Sequence, residues 1–195
     1  MQIHARIFRL LRRVVGMVLV CAGLSLLVAG TARAQDTFTM EEIVNTGHEF
    51  FGSAASGLAS LTEQIFASYG LPNGYVLGEE GGGAFVGGLT YGEGVLYTKN
   101  AGDHRVYWQG PSVGWDFGAS GSRLMVLVYN LESIDSLYRR YAGVAGSAYV
   151  IAGLGFNVLK NGNVLLVPIR TGVGARLGVN IGYPKLTSQP TWNPF

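Results

Sequence analysis

The 195-residue chain contains one cysteine, six prolines, three histidines and only 13% charged residues. The single cysteine, Cys21, lies in an N-terminal stretch that reads as a cleavable leader, so the processed chain would have none. That excludes disulfides, thiolate metal sites and cysteine nucleophiles together. No histidine follows His104, and His48 and His104 lie in no H-x-x-x-H or carboxylate-rich pattern, so the sequence implies no metal. There is no basic stripe. Residues 1–34 hold five arginines and no acid, which leaves 14 − 5 = 9 Lys+Arg against 12 Asp+Glu, or −3, for the remainder. A mildly acidic body without clustered cations excludes nucleic acid as a partner. After the leader no apolar run reaches 18 residues, so no stable membrane span is expected once the leader is removed.

The leader has the three zones of a secretory signal. Arg6, Arg9, Arg12 and Arg13 form the basic segment, Val14 to Gly30 the apolar one, and Ala32-Arg33-Ala34 the small-x-small pattern that signal peptidase accepts. Cleavage after Ala34 leaves Gln35 as the new N-terminus and sends the product to the periplasm. The remaining 161 residues can bury a core without covalent staples.

The processed chain is organised as helices followed by strands. Thr39-Met40-Glu41-Glu42 fits a capping box at a helix start. A second helix is expected from about Ser53 to Tyr69, where Ala54, Leu58, Leu61, Ile65 and Phe66 recur at steps of three and four. From Tyr75 onward short apolar runs are punctuated by glycine. Candidate strands include Tyr75–Leu77, Ala84–Tyr91, Gly94–Thr98, Val106–Gln109, Val113–Phe117, Leu124–Tyr129, Ala148–Leu159, Val164–Ile169 and Val173–Tyr183, with a short helix near Ser133–Tyr141 capped by Ser133. Asn161-Gly162 marks a hairpin, because this pair accepts the positive φ angles of a type I′ turn. Leu124–Tyr129 is apolar on both faces, as a strand covered by helices would be. In residues 172–183 apolar side chains alternate with a nearly bare, glycine-rich face, which suggests sharp bending. The fold class is therefore mostly β: a small antiparallel β-barrel or strongly curved sheet (75–195), packed in one domain with an N-terminal helical segment (35–74).

Three motifs fail on context. Gly110-Pro111-Ser112-Val113-Gly114 matches the nucleophile-elbow string, but Pro111 precedes the serine, a strand pattern follows it and no histidine comes later. Gly172-Val173-Gly174-Ala175-Arg176-Leu177-Gly178 resembles a dinucleotide fingerprint but alternates as a strand, with only 17 residues after it. No cofactor is implied. Glu79-Glu80-Gly81-Gly82-Gly83 reads as a solvated acidic turn.

One polar constellation has several readings. Lys99, Asn100, Asp103 and His104 share a turn, followed by Trp108, Trp115 and Asp116. The cluster could present a surface for a glycan or lipid headgroup. Asp103 or Asp116 could orient His104 as a general base for hydrolysis. Equally, His104 could cap the turn while the tryptophans enter the core.

Gly70–Tyr75 (GLPNGY), Tyr91–His104 (YGEGVLYTKNAGDH), Tyr107–Ser112 (YWQGPS) and the ending Pro190–Phe195 (PTWNPF) resemble the envelope integrity protein A family, an exported Gram-negative family. The resemblance implies a small periplasmic β-barrel needed for normal envelope integrity, with links to envelope stress resistance, cell division and the lipopolysaccharide O-chain background. It carries over no catalytic residue and no ligand. The expected function is thus non-enzymatic support of the envelope through an envelope lipid, glycan or protein partner. The alternatives are an apolar-ligand or lipid carrier, which requires a pocket of a few hundred Å3, and an envelope hydrolase using His104.

Overall fold

The structure is a computed structural model and describes residues 36–83, 88–112, 122–151, 153–171 and 183–193. The leader and its cleavage residues Ala32, Ala34 and Gln35 lie outside the described residues, as do Trp115, Asp116 and the glycine-alternating run 172–182. Residues from Asp36 onward form one compact unit.

Helix α1 spans Met40–Phe51 and opens with the expected capping box. The Thr39 backbone N–H donates to Glu42 Oε2 at 2.7 Å, and the Glu42 N–H donates to Thr39 Oγ1 at 3.3 Å. These reciprocal bonds satisfy two donors that a helix start leaves free. The second helix is divided: a 3-10 turn over Gly52–Ala55 precedes α2, Leu58–Tyr69. Ile43 and Phe51 of α1 and Leu58, Leu61 and Ile65 of α2 are buried together. At the end of α1, Arg123 Nη1 donates to the Phe50 carbonyl at 2.7 Å, satisfying one of the acceptors that the last helical turn leaves open.

Among the described residues ten strands follow: β1 Gly74–Gly83, β2 Gly88–Thr98, β3 Gly102–Ser112, β4 Ser122–Tyr129, β5 Ala142–Gly143, β6 Tyr149–Ile151, β7 Leu154–Phe156, β8 Leu159–Asn161, β9 Val164–Thr171 and β10 Lys185–Thr187. All pairings are antiparallel, in the order β10-β3-β2-β1-β4-β9-β7-β6, with β8 pairing both β9 and β5. Residues just before β5 return to β10, through an Arg140–Lys185 bridge and bonds from Leu186 N to Arg139 O and from Tyr141 N to Pro184 O, both 2.8 Å. The sheet therefore curls on itself at one end. At the other end β9 leaves β8 for β7, and the enclosure is splayed into a half-barrel. The expected single strand over Ala148–Leu159 is three short ones, because Gly153 turns the chain at φ 83°. The expected helix near Ser133 shrinks to a 3-10 turn, Ile134–Leu137, with Ser133 as its cap. The expected hairpin joins β8 to β9, but Asn161 pairs with Val164, so the two loop residues are Gly162 and Asn163; only Gly162 has positive φ, at 57°, and the turn is not the expected type I′.

Strand β4 has the two-sided character expected of it. Leu124, Val126 and Val128 enter the barrel interior, with Val76, Leu96, Val106, Trp108, Tyr141 and Leu166. Met125, Leu127 and Tyr129 face outward into the helical layer, with Val167, Ile169, Leu154 and Phe156. Two cores thus meet back to back across one sheet, and period-2 alternation assigns each side chain to one of them.

Among the described residues, glycines on β1 and β2 allow the sheet to bend inward. Gly78 and Gly94 are directly paired on the inner face of β1 and β2, and Gly92 lies two residues before Gly94. The Trp108 indole rests on this floor. A methyl group at Gly78 would stand 2.7 Å from Trp108 Cη2, and one at Gly92 would overlap the ring itself. Only hydrogen at these positions lets the strands bend inward and admit a ring between them.

Candidate functional site

The turn residues of the polar constellation do not converge. Lys99 Nζ pairs with the Glu42 carboxylate at 2.9 Å and lies 5.0 Å from the Phe38 ring centre. Asn100 Nδ2 donates to Asp36 Oδ2 at 3.1 Å. Both residues thus brace the chain leading into α1. His104 Nε2 donates to the Ala101 carbonyl at 2.8 Å and caps the β2–β3 turn. Asp103, adjacent on the same strand, projects to the opposite face and is paired in register with Tyr97. Trp108 points into the barrel and is 6% exposed. Lys99 also acts on Glu42: the Thr39 backbone N–H first, and Lys99 second, hold that carboxyl below its usual range.

The chemistry the sequence missed lies inside the barrel. Glu80, expected in a solvated turn, is the seventh residue of β1 and its side chain is only 8% exposed. Its carboxylate reaches across β4 to Arg170 on β9, with Oε1 at 2.6 Å from Arg170 Nε. Arg170 Nη1 donates to Asn157 Oδ1 at 3.1 Å. The Trp108 indole N–H donates to Glu80 Oε2 at a long 3.4 Å. A charged pair persists in such a place because each partner cancels the other and the remaining lone pairs find donors. The two residues are 90 positions apart in sequence. The one available signal was parity, since Glu80 shares the inward parity of Val76 and Gly78 once β1 is extended past Leu77.

This cluster forms the polar end of an otherwise apolar cleft. Val76, Val106, Trp108, Leu124, Val126 and Leu166 line its depth. Thr90, Asn157, Pro111, Pro168 and Pro184 line it together with Glu80 and Arg170. The free volume is about 50 Å3, far below the few hundred Å3 a carrier requires. Among the described residues, apolar side chains of β1, β3, β4 and β9 fill most of this cleft. Among the described residues no group of three His, Cys, Asp or Glu is placed to hold a metal ion, and no helix is long and apolar enough to cross a membrane.

Comparison with known proteins gives the family. A crystal structure of a beta-barrel-like, uncharacterized protein from Brucella abortus shares 72% sequence identity, covers 82% of this chain and 99% of its own, and superposes with a TM-score of 0.75. No curated protein matches. The profile of envelope integrity protein A matches residues 36–195, which takes in every described element. The chain belongs to the envelope integrity protein A family, and so to proteins with a role in envelope integrity.

Proposed function

We propose that this protein works in the periplasm, delivered there by cleavage of its leader after Ala34, and that it supports the envelope without catalysis, by binding an envelope component at the splayed end of the half-barrel. The observation that carries this reading is the buried Glu80–Arg170 pair, joined by Asn157 and Trp108, in the lining of an apolar cleft. A buried ion pair is weak evidence for stability, since apolar residues of similar volume would often serve as well or better. Polar groups that converge in a concave apolar site are the ordinary makings of a binding site. The small free volume of this cleft argues against a carrier that swallows an acyl chain. His104, engaged with its own turn, supports no hydrolytic role.

The test is complementation of a deletion strain. Wild-type protein should restore resistance to detergent, whereas the double variant Glu80→Gln/Arg170→Met, which leaves no charge buried alone, should be exported and folded yet restore little of it. Full restoration by the double variant would defeat the assignment of function to this cluster. N-terminal sequencing of the periplasmic fraction should begin at Gln35; recovery of the protein only from the cytoplasm would defeat the location.

A further inference from the structure

Independently of the Glu80–Arg170 cluster, we infer that the loop from Ala142 to Ile151, with the cations at its root, docks the protein onto the surface of an anionic phospholipid bilayer. The inference begins from an asymmetry of charge. Residues 136–195 contain six Lys+Arg and no Asp or Glu, whereas residues 35–135 contain three Lys+Arg against twelve Asp+Glu. Within the basic part, residues 141–159 carry no charged side chain at all.

The fold gathers cations that are spread in sequence at one corner. Arg140 bridges to Lys185 of β10, Lys160 of β8 stands opposite Ala142 of β5, and Asn161 Nδ2 donates to the Arg140 carbonyl at 2.6 Å. Arg139 and Lys160 are exposed, and neither forms an ion pair among the described residues. Glu132 shares a surface depression with Lys160, and Asp135 lies four residues before Arg139. Counting both acids against Arg139, Arg140, Lys160 and Lys185 still leaves 4 − 2 = +2.

Directly beyond this root the chain presents apolar surface. Val144, Tyr149 and Val150 are 43%, 46% and 47% exposed, with exposed Ala142, Ala145 and Ala148 between and beside them. Scattered exposed apolar residues are ordinary, but these are gathered in one loop. The loop is held in shape. The Ser147 hydroxyl donates to the Val144 carbonyl at 2.6 Å and accepts from the Val158 N–H at 3.0 Å, and the Val144 N–H donates to the Val158 carbonyl at 2.8 Å. Ser147 and Tyr149 are its only polar side chains, so the first is spent internally. A lipid surface suits both halves of this arrangement. Each basic residue near anionic headgroups strengthens partitioning by about fivefold, while Val and Ala side chains leave water at the acyl boundary. Tyr149, stacked on Phe156 with ring centres 5.2 Å apart, has the amphipathic ring favoured at headgroup depth. Insertion stops there, because loop backbone needs water or headgroups for its N–H and C=O groups. A second copy meeting this face about a two-fold axis would set the same cations against each other.

The experiment is co-sedimentation of the protein, as its host processes it, with vesicles of phosphatidylglycerol and phosphatidylethanolamine, and separately with vesicles of phosphatidylcholine. Binding to the anionic vesicles should exceed binding to phosphatidylcholine by at least about tenfold, and should weaken by more than about fivefold as salt rises from about 0.05 to 0.5 M. Arg139→Gln/Lys160→Gln should weaken it by roughly 25-fold, two basic residues at about fivefold each. Val144→Ser/Val150→Ser should weaken it by about tenfold, since two half-exposed valines no longer leave water. All four positions are exposed, so the unfolding midpoint should stay unchanged, and a folding defect in one pair leaves the other to decide. Failure to sediment with anionic vesicles, equal binding to phosphatidylcholine, or binding unaltered in both variant pairs would overturn the inference. A dimer in solution that Val144→Ser/Val150→Ser dissociates, without vesicle binding, would assign the face to a second copy instead. If Glu80→Gln/Arg170→Met complements fully while vesicle binding persists, the cleft reading falls and this one stands; the reverse result separates them equally well.

Discussion

Substituting Gly92 by alanine tests the glycine floor beneath Trp108. The added methyl would overlap the five-membered edge of the indole, and the ring has little freedom to withdraw. Gly78 supports its far edge, and its N–H points to Glu80. The cleft beyond offers only about 50 Å3. Overpacking of this kind costs about 1–3 kcal/mol. Loss of the long indole–carboxylate bond adds at most about 1 kcal/mol. Against these, alanine restricts the unfolded chain more than glycine, a gain of about 0.4–1 kcal/mol. The net expectation is about 2 kcal/mol of destabilisation, read as a fall of roughly 1 M in the urea midpoint by far-UV circular dichroism. The decisive measurement is a double-mutant cycle with Trp108→Leu. Removing the indole removes the clash, so Gly92→Ala should become neutral or slightly stabilising there, with a coupling of at least about 1.5 kcal/mol. A Gly92→Ala protein within about 0.5 kcal/mol of wild type, or one equally destabilised in both backgrounds, would refute the account of why these strands carry glycine.

Three further outcomes follow from local geometry. Thr39→Ala should cost about 1 kcal/mol at neutral pH by removing the N-cap of α1. The Glu42 carboxyl is held below its usual range, so its contribution is present above its unfolded pKa and is lost as the pH falls through the lower folded value. The Thr39→Ala penalty, measured by urea unfolding, should accordingly shrink in acid, and a constant penalty across that range would contradict the capping box. Leu127→Ala should cost about 2–5 kcal/mol in the same assay, because Leu127 is fully buried between β4 and the helices. Gly162→Ala should destabilise by about 1 kcal/mol, since φ 57° at the β8–β9 turn strains any side chain.

Legibility in the sequence followed the range of the interactions. Thr39 and Glu42 are three residues apart, and their capping box was readable as a motif because its partners are neighbours. The β8–β9 hairpin was readable for the same reason, although its turn sits on Gly162 and Asn163 and not on Asn161-Gly162. The two-sided burial of Leu124–Tyr129 was readable because an antiparallel strand with no polar face must be covered twice. The polar site was not legible. Glu79-Glu80-Gly81-Gly82-Gly83 has the composition of a loop, and local propensity gives acid–glycine runs to turns. Tertiary pairing overrode that reading: β1 runs on to Gly83 between β2 and β4, which turns Glu80 inward. His104, by contrast, attracted attention as a titratable group in a turn, and its bond to Ala101 spends that nitrogen on the turn itself.

The sequence by itself determined the leader pattern, the freedom from cysteine beyond it, the helix-then-strand order and the two-sided burial of Leu124–Tyr129 in a mostly β domain. Each depends on contacts within a few residues or on the period of a single strand. Only the tertiary structure decided that Glu80 meets Arg170, that Trp108 lies on Gly78 and Gly92, and that the cleft they line holds only about 50 Å3. Those facts depend on strand order and register, which bring together residues as far as 90 positions apart, and no local pattern encodes such a pairing.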